Sequence, residues 1–113
     1  MSDFRVTNDN VTIASGDTVS GVVPLRSAVE IGIHAAALPA SAQLFLQVGF
    51  AVASNAAFYR AWDPDAAANW SWDVGSVNAA VNIGAIASAF PFARIESSVA
   101  QTNTASFAIL TKR

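Results

Sequence analysis

The stretch Val29-Glu30-Ile31-Gly32-Ile33-His34-Ala35-Ala36 alternates apolar residues with small or polar ones. A period of two is the pattern of a β-strand with one buried face, whereas a helix repeats its apolar residues every three or four positions. We therefore predict a strand here, with an apolar face formed by Val29, Ile31, Ile33 and Ala35.

A second strand-forming run follows at Ala42-Gln43-Leu44-Phe45-Leu46-Gln47-Val48-Gly49-Phe50. It is rich in residues that favour strands, and its alternation places Leu44, Leu46 and Val48 on one face and Phe45 on the other. We expect it to form a central strand.

The same period predicts short strands along most of the remaining chain, separated by turn-forming residues such as Ser15-Gly16-Asp17 and Asp63-Pro64-Asp65. Asn8-Asp9-Asn10 is also turn-forming and predicts a break between two short N-terminal strands. The segment from Val77 to Ile86 fits a strand by its period and a short helix by its alanines, and the period favours the strand. The other predicted strands lie at Phe4–Val6, Val11–Ile13, Val19–Leu25, Ala57–Trp62, Trp70–Val74, Phe92–Glu96 and Ala105–Thr111.

Alanine, the commonest residue, favours helices, but Gly, Pro, Asn and Ser recur too often for long helices, and the acid–base pairs that support exposed helices are missing. Eight or so short strands joined by turns instead predict an all-β fold, an antiparallel β-sandwich or a barrel. The 113 residues fit one domain, residues 1–113, and contain no repeat or linker.

The composition narrows the range of functions. Only 12% of the residues are charged, against about 25% in an ordinary soluble domain, while 53% are hydrophobic. The net charge is −2, and no Lys/Arg cluster is present that could bind a phosphate backbone, so we expect no nucleic-acid partner. So little charge suggests a surface that is buried against partner proteins.

Neither long uncharged run predicts a membrane span. Ile31 to Tyr59 and Val74 to Ala93 carry no charge, but Pro, Gln, Asn and Ser residues interrupt both of them before about 20 apolar residues accumulate. The start Met1-Ser2-Asp3-Phe4-Arg5 lacks the apolar core of a secretory signal, so we expect a protein made in the cytoplasm.

Catalytic and metal-binding side chains are scarce. His34 is the only histidine and has no nucleophile motif beside it, so we expect a solvent-facing or interface histidine. Asp63, Asp65 and Asp73 could form an acid–base pair or bind calcium, but the first two belong to a turn and the set is too small for a calcium loop. We therefore predict a protein that is not an enzyme and needs no cofactor or metal.

An aromatic group formed by Phe58, Tyr59, Trp62, Trp70 and Trp72 has three possible roles. Tryptophans of this kind belong to the core, anchor a protein interface, or form a platform that stacks on sugars. Alternation places Trp70 and Trp72 on the same face, which favours the core for these two.

Taken in order, the segments resemble a group of small structural proteins encoded in the virion gene clusters of tailed phages. The resemblance spans nearly the whole chain as a pattern of strands and turns. This chain differs from the family's pattern after the Gln47-containing strand, where it has Val48-Gly49-Phe50 in place of an Asp-Gly hairpin. The matching segments are Phe4–Asn8, Val11–Ser20, Val23–Leu25, Gly32–Ile33, Leu38–Ala40, Ala42–Val48, Phe92–Ser97, Gln101–Thr102 and Phe107–Leu110.

The resemblance implies a jelly-roll-like sandwich that acts as a capsid decoration or cement protein on the virion surface. Such proteins cap the outer surface of the phage head and clamp neighbouring major capsid protein subunits, commonly as homotrimers. Isolated arginines in a charge-poor chain would then be candidates for two-pronged contacts to carboxylates of a neighbour. The interface candidates are Arg5, Arg26, Arg60, Arg94, Trp62, Trp70 and Trp72.

Two alternatives remain open. A carbohydrate-binding module could use Trp62, Trp70 and Trp72 as its stacking platform on the same sandwich. Another virion component, from the tail, neck or fibre, is compatible with the same pattern, because a fold does not fix a function.

Overall fold

The computed structural model describes residues 6–36, 38–50, 57–73, 79–84 and 89–112. Within these ranges the chain forms eleven strands and no helix. The strands are β1 (Val6–Ile13), β2 (Val23–Pro24), β3 (Glu30–Ala35), β4 (Gln43–Gly49), β5 (Phe58–Arg60), β6 (Trp62–Asp63), β7 (Ala68–Asn69), β8 (Ser71–Asp73), β9 (Ala79–Gly84), β10 (Phe92–Ser97) and β11 (Ala105–Lys112).

Two antiparallel sheets contain most of these strands. The first sheet has the order β1-β11-β3-β9, and the second has the order β2-β10-β4-β5 with β8 also paired to β4. Strands β5 and β8 share one side of β4, since β5 pairs with Gln47–Gly49 and β8 with Gln43–Phe45. They therefore fill one strand position between them, and the short hairpin β6-β7 lies between them in the chain.

The chain passes from one sheet to the other at nearly every connection. Strands β1, β3, β9 and β11 belong to the first sheet, and β2, β4, β5/β8 and β10 to the second. Eight strand positions in two such sheets form a jelly-roll sandwich. The structure thus confirms the predicted all-β sandwich and specifies its topology.

The core lies between the two sheets and draws on both. Ile31, Ile33 and Ile109 point inward from the first sheet, and Leu46 and Ile95 from the second; all are at most 1% exposed. They belong to one buried apolar cluster. Burial of such side chains is the main stabilising contribution to a fold of this kind, at about 1.5–3 kcal/mol for each large apolar side chain.

Strands β3 and β4 confirm the strongest sequence patterns. Leu44, Leu46 and Val48 are buried on the inner face of β4 while Phe45 faces outward. β4 is central, because it pairs with β10 on one side and with β5 and β8 on the other. Val29 is an exception: it precedes β3 and is 54% exposed, although its backbone N–H still donates to the Lys112 carbonyl at the end of the sheet.

The predicted break at Asn8-Asp9-Asn10 is wrong. These residues continue β1, and each pairs with a residue of β11, from Asn8 with Leu110 to Asn10 with Ala108. Pairing along the whole of β11 therefore overrides the local preference of Asn and Asp for turns.

The predicted strand from Val19 to Leu25 is also only partly formed. Val19 makes an isolated bridge to Glu96, and only Val23–Pro24 is a strand. Between them the Ser20 N–H donates to the Ile95 carbonyl at 2.9 Å, and the Ser20 hydroxyl accepts a hydrogen bond from the Ile95 N–H at 2.9 Å. A side-chain oxygen therefore takes the place of a backbone carbonyl in one of the two bonds. The segment from Val77 to Ile86 is a strand where it is described, at β9.

The turn between β2 and β3 has an unusual backbone. Arg26 and Ser27 have φ values of 53° and 57°, and the Ala28 N–H donates to the Leu25 carbonyl at 2.9 Å. Two central residues with positive φ and this hydrogen bond define a type I′ turn, in which Asn and Gly are the usual residues. The chain therefore places Arg26 at a turn that costs some conformational strain.

Among the described residues, no helix has the length and apolarity needed to span a bilayer.

Candidate binding surface

The outer face of the second sheet carries a group of charged and aromatic side chains that contact one another. On β10 the inward residues Ala93 and Ile95 alternate with the outward residues Arg94 and Glu96. Strand register then fixes the outward neighbours: Arg94 lies opposite Gln47, and Gln47 lies opposite Arg60. We call this surface the arginine–aromatic face; its residues are Phe45, Gln47, Phe58, Arg60, Phe92, Arg94 and Glu96.

Glu96 and Arg60 form a two-pronged ion pair on this face. Arg60 Nε lies 2.8 Å from Glu96 Oε1, and Arg60 Nη2 lies 2.9 Å from Glu96 Oε2. Gln47 Nε2 donates a third hydrogen bond to Glu96 Oε1 at 2.9 Å. The hydrogen bonds from Arg60 hold the pKa of the Glu96 carboxyl below its ordinary value; partial burial opposes this effect, and the Gln47 hydrogen bond adds to it.

Both arginines of the face stack on phenylalanine rings. The Arg60 guanidinium carbon lies 3.9 Å from the centroid of the Phe45 ring, and that of Arg94 lies 4.3 Å from the centroid of Phe58. Arg94 Nε also donates to Gln47 Oε1 at 2.5 Å. Gln47 thus links the two arginines, because it accepts from Arg94 and donates to the carboxylate that holds Arg60.

Gly49 makes room for the stacked Phe58. A Cβ atom placed on Gly49 would lie 2.7 Å from Cε1 of Phe58, which is closer than carbon atoms approach in folded proteins. Phe92 and Phe58 pair with Gly49 from its two sides. Because Gly49 has no side chain, the rings of Phe58 and Phe92 can lie on either side of it on the outer face of the sheet.

An aromatic groove adjoins this face at the start of β10. Its volume is about 400 Å³, and its rim includes Phe90, which makes an edge-to-face contact with Phe50 at 5.9 Å between ring centroids. Phe50 is 68% exposed, an unusual state for so large an apolar side chain. The groove residues are Pro24, Arg26, Ser27, Ala89, Phe90, Pro91 and Phe92.

Arg26 lies away from the arginine–aromatic network and has its own carboxylate partner. Its Nη1 lies 2.7 Å from Asp9 Oδ2 and its Nη2 lies 3.3 Å from Asp9 Oδ1. This pair joins the β2–β3 turn to β1. Arg5, another interface candidate, lies outside the described residues.

The three tryptophans lie in different surroundings. Trp70 and Trp72 are half-buried and pack against the core, as their shared face predicts, and Trp72 pairs with Leu44. Trp62 is 56% exposed on the β6-β7 hairpin. The three rings therefore do not form one exposed platform.

The acidic and histidine candidates are not brought together. Asp63 Oδ1 accepts a hydrogen bond from the Asp65 N–H at 3.1 Å, which is the turn arrangement expected for Asp-Pro-Asp. No group of three or more His, Asp or Glu side chains that could hold a metal ion occurs in the described part of the chain.

His34 is exposed on the outer face of the first sheet. It lines a neutral groove of about 630 Å³ in which the other lining residues are uncharged. Hydrogen-bonding groups come from Asn10, Thr12, His34 and Ser106, and Ala36 and Ala108 leave space between them.

The sequence marks Arg60 and Arg94 as interface candidates but does not show which side chains they contact. Gln47 and Glu96, the residues that connect them, are 49 positions apart, and Arg60 and Glu96 are 36 apart. The alternation in β4 does predict that Phe45 and Gln47 face outward. Their partners on neighbouring strands depend on the strand register, which one sequence does not reveal.

These features define the class of the protein: a jelly-roll β-sandwich with a structured arginine–aromatic face on one sheet and a neutral groove on the other. The chain is similar to the solved structure of the SPBc2 prophage-derived protein YomS, with a TM-score of 0.67 and 11% identity over 100% of this chain and 97% of that one. It is also similar to the Yersinia pseudotuberculosis-derived mitogen, with a TM-score of 0.48 and 10% identity over 95% of this chain and 85% of that one. No protein-family model matches the chain, and no curated protein does. At 11% identity, the likeness to the prophage-derived protein shows a shared fold.

Proposed function

We propose that this protein is a non-enzymatic virion structural protein, a capsid decoration protein that binds the outer head surface and clamps neighbouring major capsid protein subunits. The sequence pattern of phage structural proteins supports this proposal, and so does the origin of YomS, whose fold this chain shares and which is described as prophage-derived. Binding, rather than chemistry, would be the whole of its activity.

The observation that carries the proposal is the arginine–aromatic face. Arginine and aromatic residues are more frequent at protein interfaces than on the rest of the surface. The few interface residues that contribute most of the binding energy are enriched in Arg, Trp and Tyr. Here the guanidinium groups are already fixed by ring stacking and by Gln47 and Glu96. Side chains that are held before binding lose less conformational entropy when the partner arrives, and this favours affinity.

Decoration would stabilise the head by mass action. A protein that binds the assembled shell and not the free subunits shifts the equilibrium towards the shell. We further propose a homotrimer, the common state of the proteins that the sequence resembles, so that one decoration unit contacts several capsid subunits at once.

The test is co-sedimentation of the purified protein with heads assembled from the major capsid protein encoded in the same genome. We expect saturable binding to assembled heads, no binding to free capsid subunits, and a mass of three chains by light scattering. Absence of binding to the heads would show that the proposal is wrong.

A second candidate function is carbohydrate binding, and the neutral groove on the first sheet favours it. Asn10, Thr12 and Ser106 offer uncharged hydrogen-bonding groups of the kind that saccharide hydroxyls need, and a volume of about 630 Å³ is typical of small-ligand sites. Titration calorimetry with neutral oligosaccharides tests this candidate, with Thr12→Val as the matched variant. Saturable heat that the variant abolishes would support it, and no heat with any oligosaccharide would contradict it.

A further inference from the structure

The three described arginine candidates differ in what their terminal nitrogens contact. Arg26 directs Nη1 and Nη2 at Asp9, and Arg60 directs Nε and Nη2 at Glu96. Both guanidinium groups therefore already have a carboxylate from this chain. A carboxylate of a partner would meet two arginines whose charge is already balanced by a carboxylate of this chain.

Arg94 is held in a different way. Its Nε donates to the neutral Gln47 amide oxygen and its guanidinium carbon lies over the Phe58 ring. In the part of the chain that the structure describes, Nη1 and Nη2 have no hydrogen-bond partner. The guanidinium is thus held in orientation by Nε and by one face, and as far as contacts between described residues go, the two terminal nitrogens are available to a ligand.

The charge of the network indicates the ligand. Arg60 neutralises Glu96, so one positive charge is left, and it resides on the half-buried Arg94. A planar guanidinium with two parallel N–H groups matches a carboxylate, which it binds through two hydrogen bonds. Charge complementarity therefore favours an acidic side chain.

The aromatic groove gives the partner a second point of contact. Phe92 points outward from β10 two residues before Arg94, which places the two side chains about 6.8 Å apart along the strand. An extended segment repeats its side chains on one face at the same interval. An acidic residue and an apolar residue two positions apart in such a segment would meet Arg94 and the groove at the same time.

We propose that Arg94 is the anchor for a partner carboxylate, supplied by an extended segment of the major capsid protein whose neighbouring apolar side chain enters the groove beside Phe92. This assignment rests on the proposed decoration function. Arg26 and Arg60 serve the fold and the face, and Arg94 makes the intermolecular contact.

The experiment measures head binding by co-sedimentation for the wild type, Arg94→Ala and Arg94→Lys, with Lys112→Ala on the first sheet as the matched control. We expect Arg94→Ala to weaken binding at least thirty-fold, because truncating one partner of a buried, hydrogen-bonded charge pair leaves the other charge buried and unpaired. Arg94→Lys keeps the charge but loses the two-pronged geometry, and should weaken binding about ten-fold. Lys112→Ala removes a cation from β11, outside the arginine–aromatic face and the groove, and should bind as the wild type does.

A second variant, Ala89→Glu, tests the groove without removing a contact of the core. Ala89 is exposed at the groove, and a carboxylate there would repel the acidic segment and obstruct its apolar side chain. We expect a loss of at least ten-fold in affinity, with unchanged thermal unfolding.

The outcomes separate the two proposals. If the wild type binds heads and Arg94→Ala binds equally well, the assignment of Arg94 is wrong and the decoration function stands. If the folded wild type does not bind heads at all, both are wrong.

Discussion

The ion pair between Arg60 and Glu96 gives a quantitative test of the arginine–aromatic face. Glu96→Gln keeps the shape of the side chain but removes the charge that Arg60 contacts at 2.8 and 2.9 Å. A hydrogen bond to a charged group contributes about 1.5–3 kcal/mol, but Arg60 is 41% exposed and solvent screens the pair. We therefore expect the variant to lose about 1 kcal/mol of unfolding free energy at pH 7.

The same pair predicts a dependence on pH. The pKa of Glu96 is lower in the folded protein than its ordinary value of 4.5, so the stabilisation is fully present above that value. It is lost as the pH falls through the lower folded pKa, because both states then bind the proton. The stabilities of the wild type and Glu96→Gln should therefore differ at pH 7 and converge in acid.

Urea unfolding followed by circular dichroism measures both effects, with Arg60→Ala and the double variant completing a thermodynamic cycle. We expect a coupling energy of about 0.5–1 kcal/mol at pH 7 and less at pH 3. Additive single-variant effects, or a gap between wild type and Glu96→Gln that does not change with pH, would show that the ion pair does not stabilise the fold.

Three further substitutions test the packing. Leu46→Ala should lower the unfolding free energy by about 2–5 kcal/mol in urea titrations, since Leu46 is fully buried between the sheets; a loss below 1 kcal/mol would contradict its place in the core. Gly49→Ala should lower the unfolding free energy by about 1–3 kcal/mol because the added methyl group meets the Phe58 ring. The same substitution should cost less when it is made in a Phe58→Ala background, where that ring is absent. Ser27→Gly should raise the midpoint of thermal unfolding, by the equivalent of about 0.5 kcal/mol, because glycine adopts the positive φ of the turn without strain. A lower midpoint would show that the Ser27 conformation is not strained.

The core could be predicted from the sequence because the two clearest strands each bury one face. In β3 and β4 the apolar residues recur at every second position, and this period is a local property of the chain. The prediction failed at Asn8-Asp9-Asn10, where the decisive interaction is pairing with β11 at the other end of the chain. Local turn preference is weaker than a full ladder of backbone hydrogen bonds, and the sequence alone does not show that the ladder exists.

The candidate surface could be predicted only in part. The isolation of Arg60 and Arg94 in a charge-poor chain marked them as interface candidates, but not their contacts with Gln47 or Phe58. Those contacts depend on the register between β10, β4 and β5, which brings distant residues into one row. The fold also decides that Arg26 pairs with a carboxylate of this chain, Asp9, whereas Arg94 contacts the neutral Gln47 and the Phe58 ring.

The most direct test of the decoration function is a cryo-electron microscopy reconstruction of heads saturated with the protein. We expect sandwich-shaped density on the outer surface, three copies around each site, with the β2-β10-β4-β5 sheet turned towards the major capsid protein and Arg94 at the contact. Heads without added density, or density that contacts the shell only through the β1-β11-β3-β9 sheet, would contradict it.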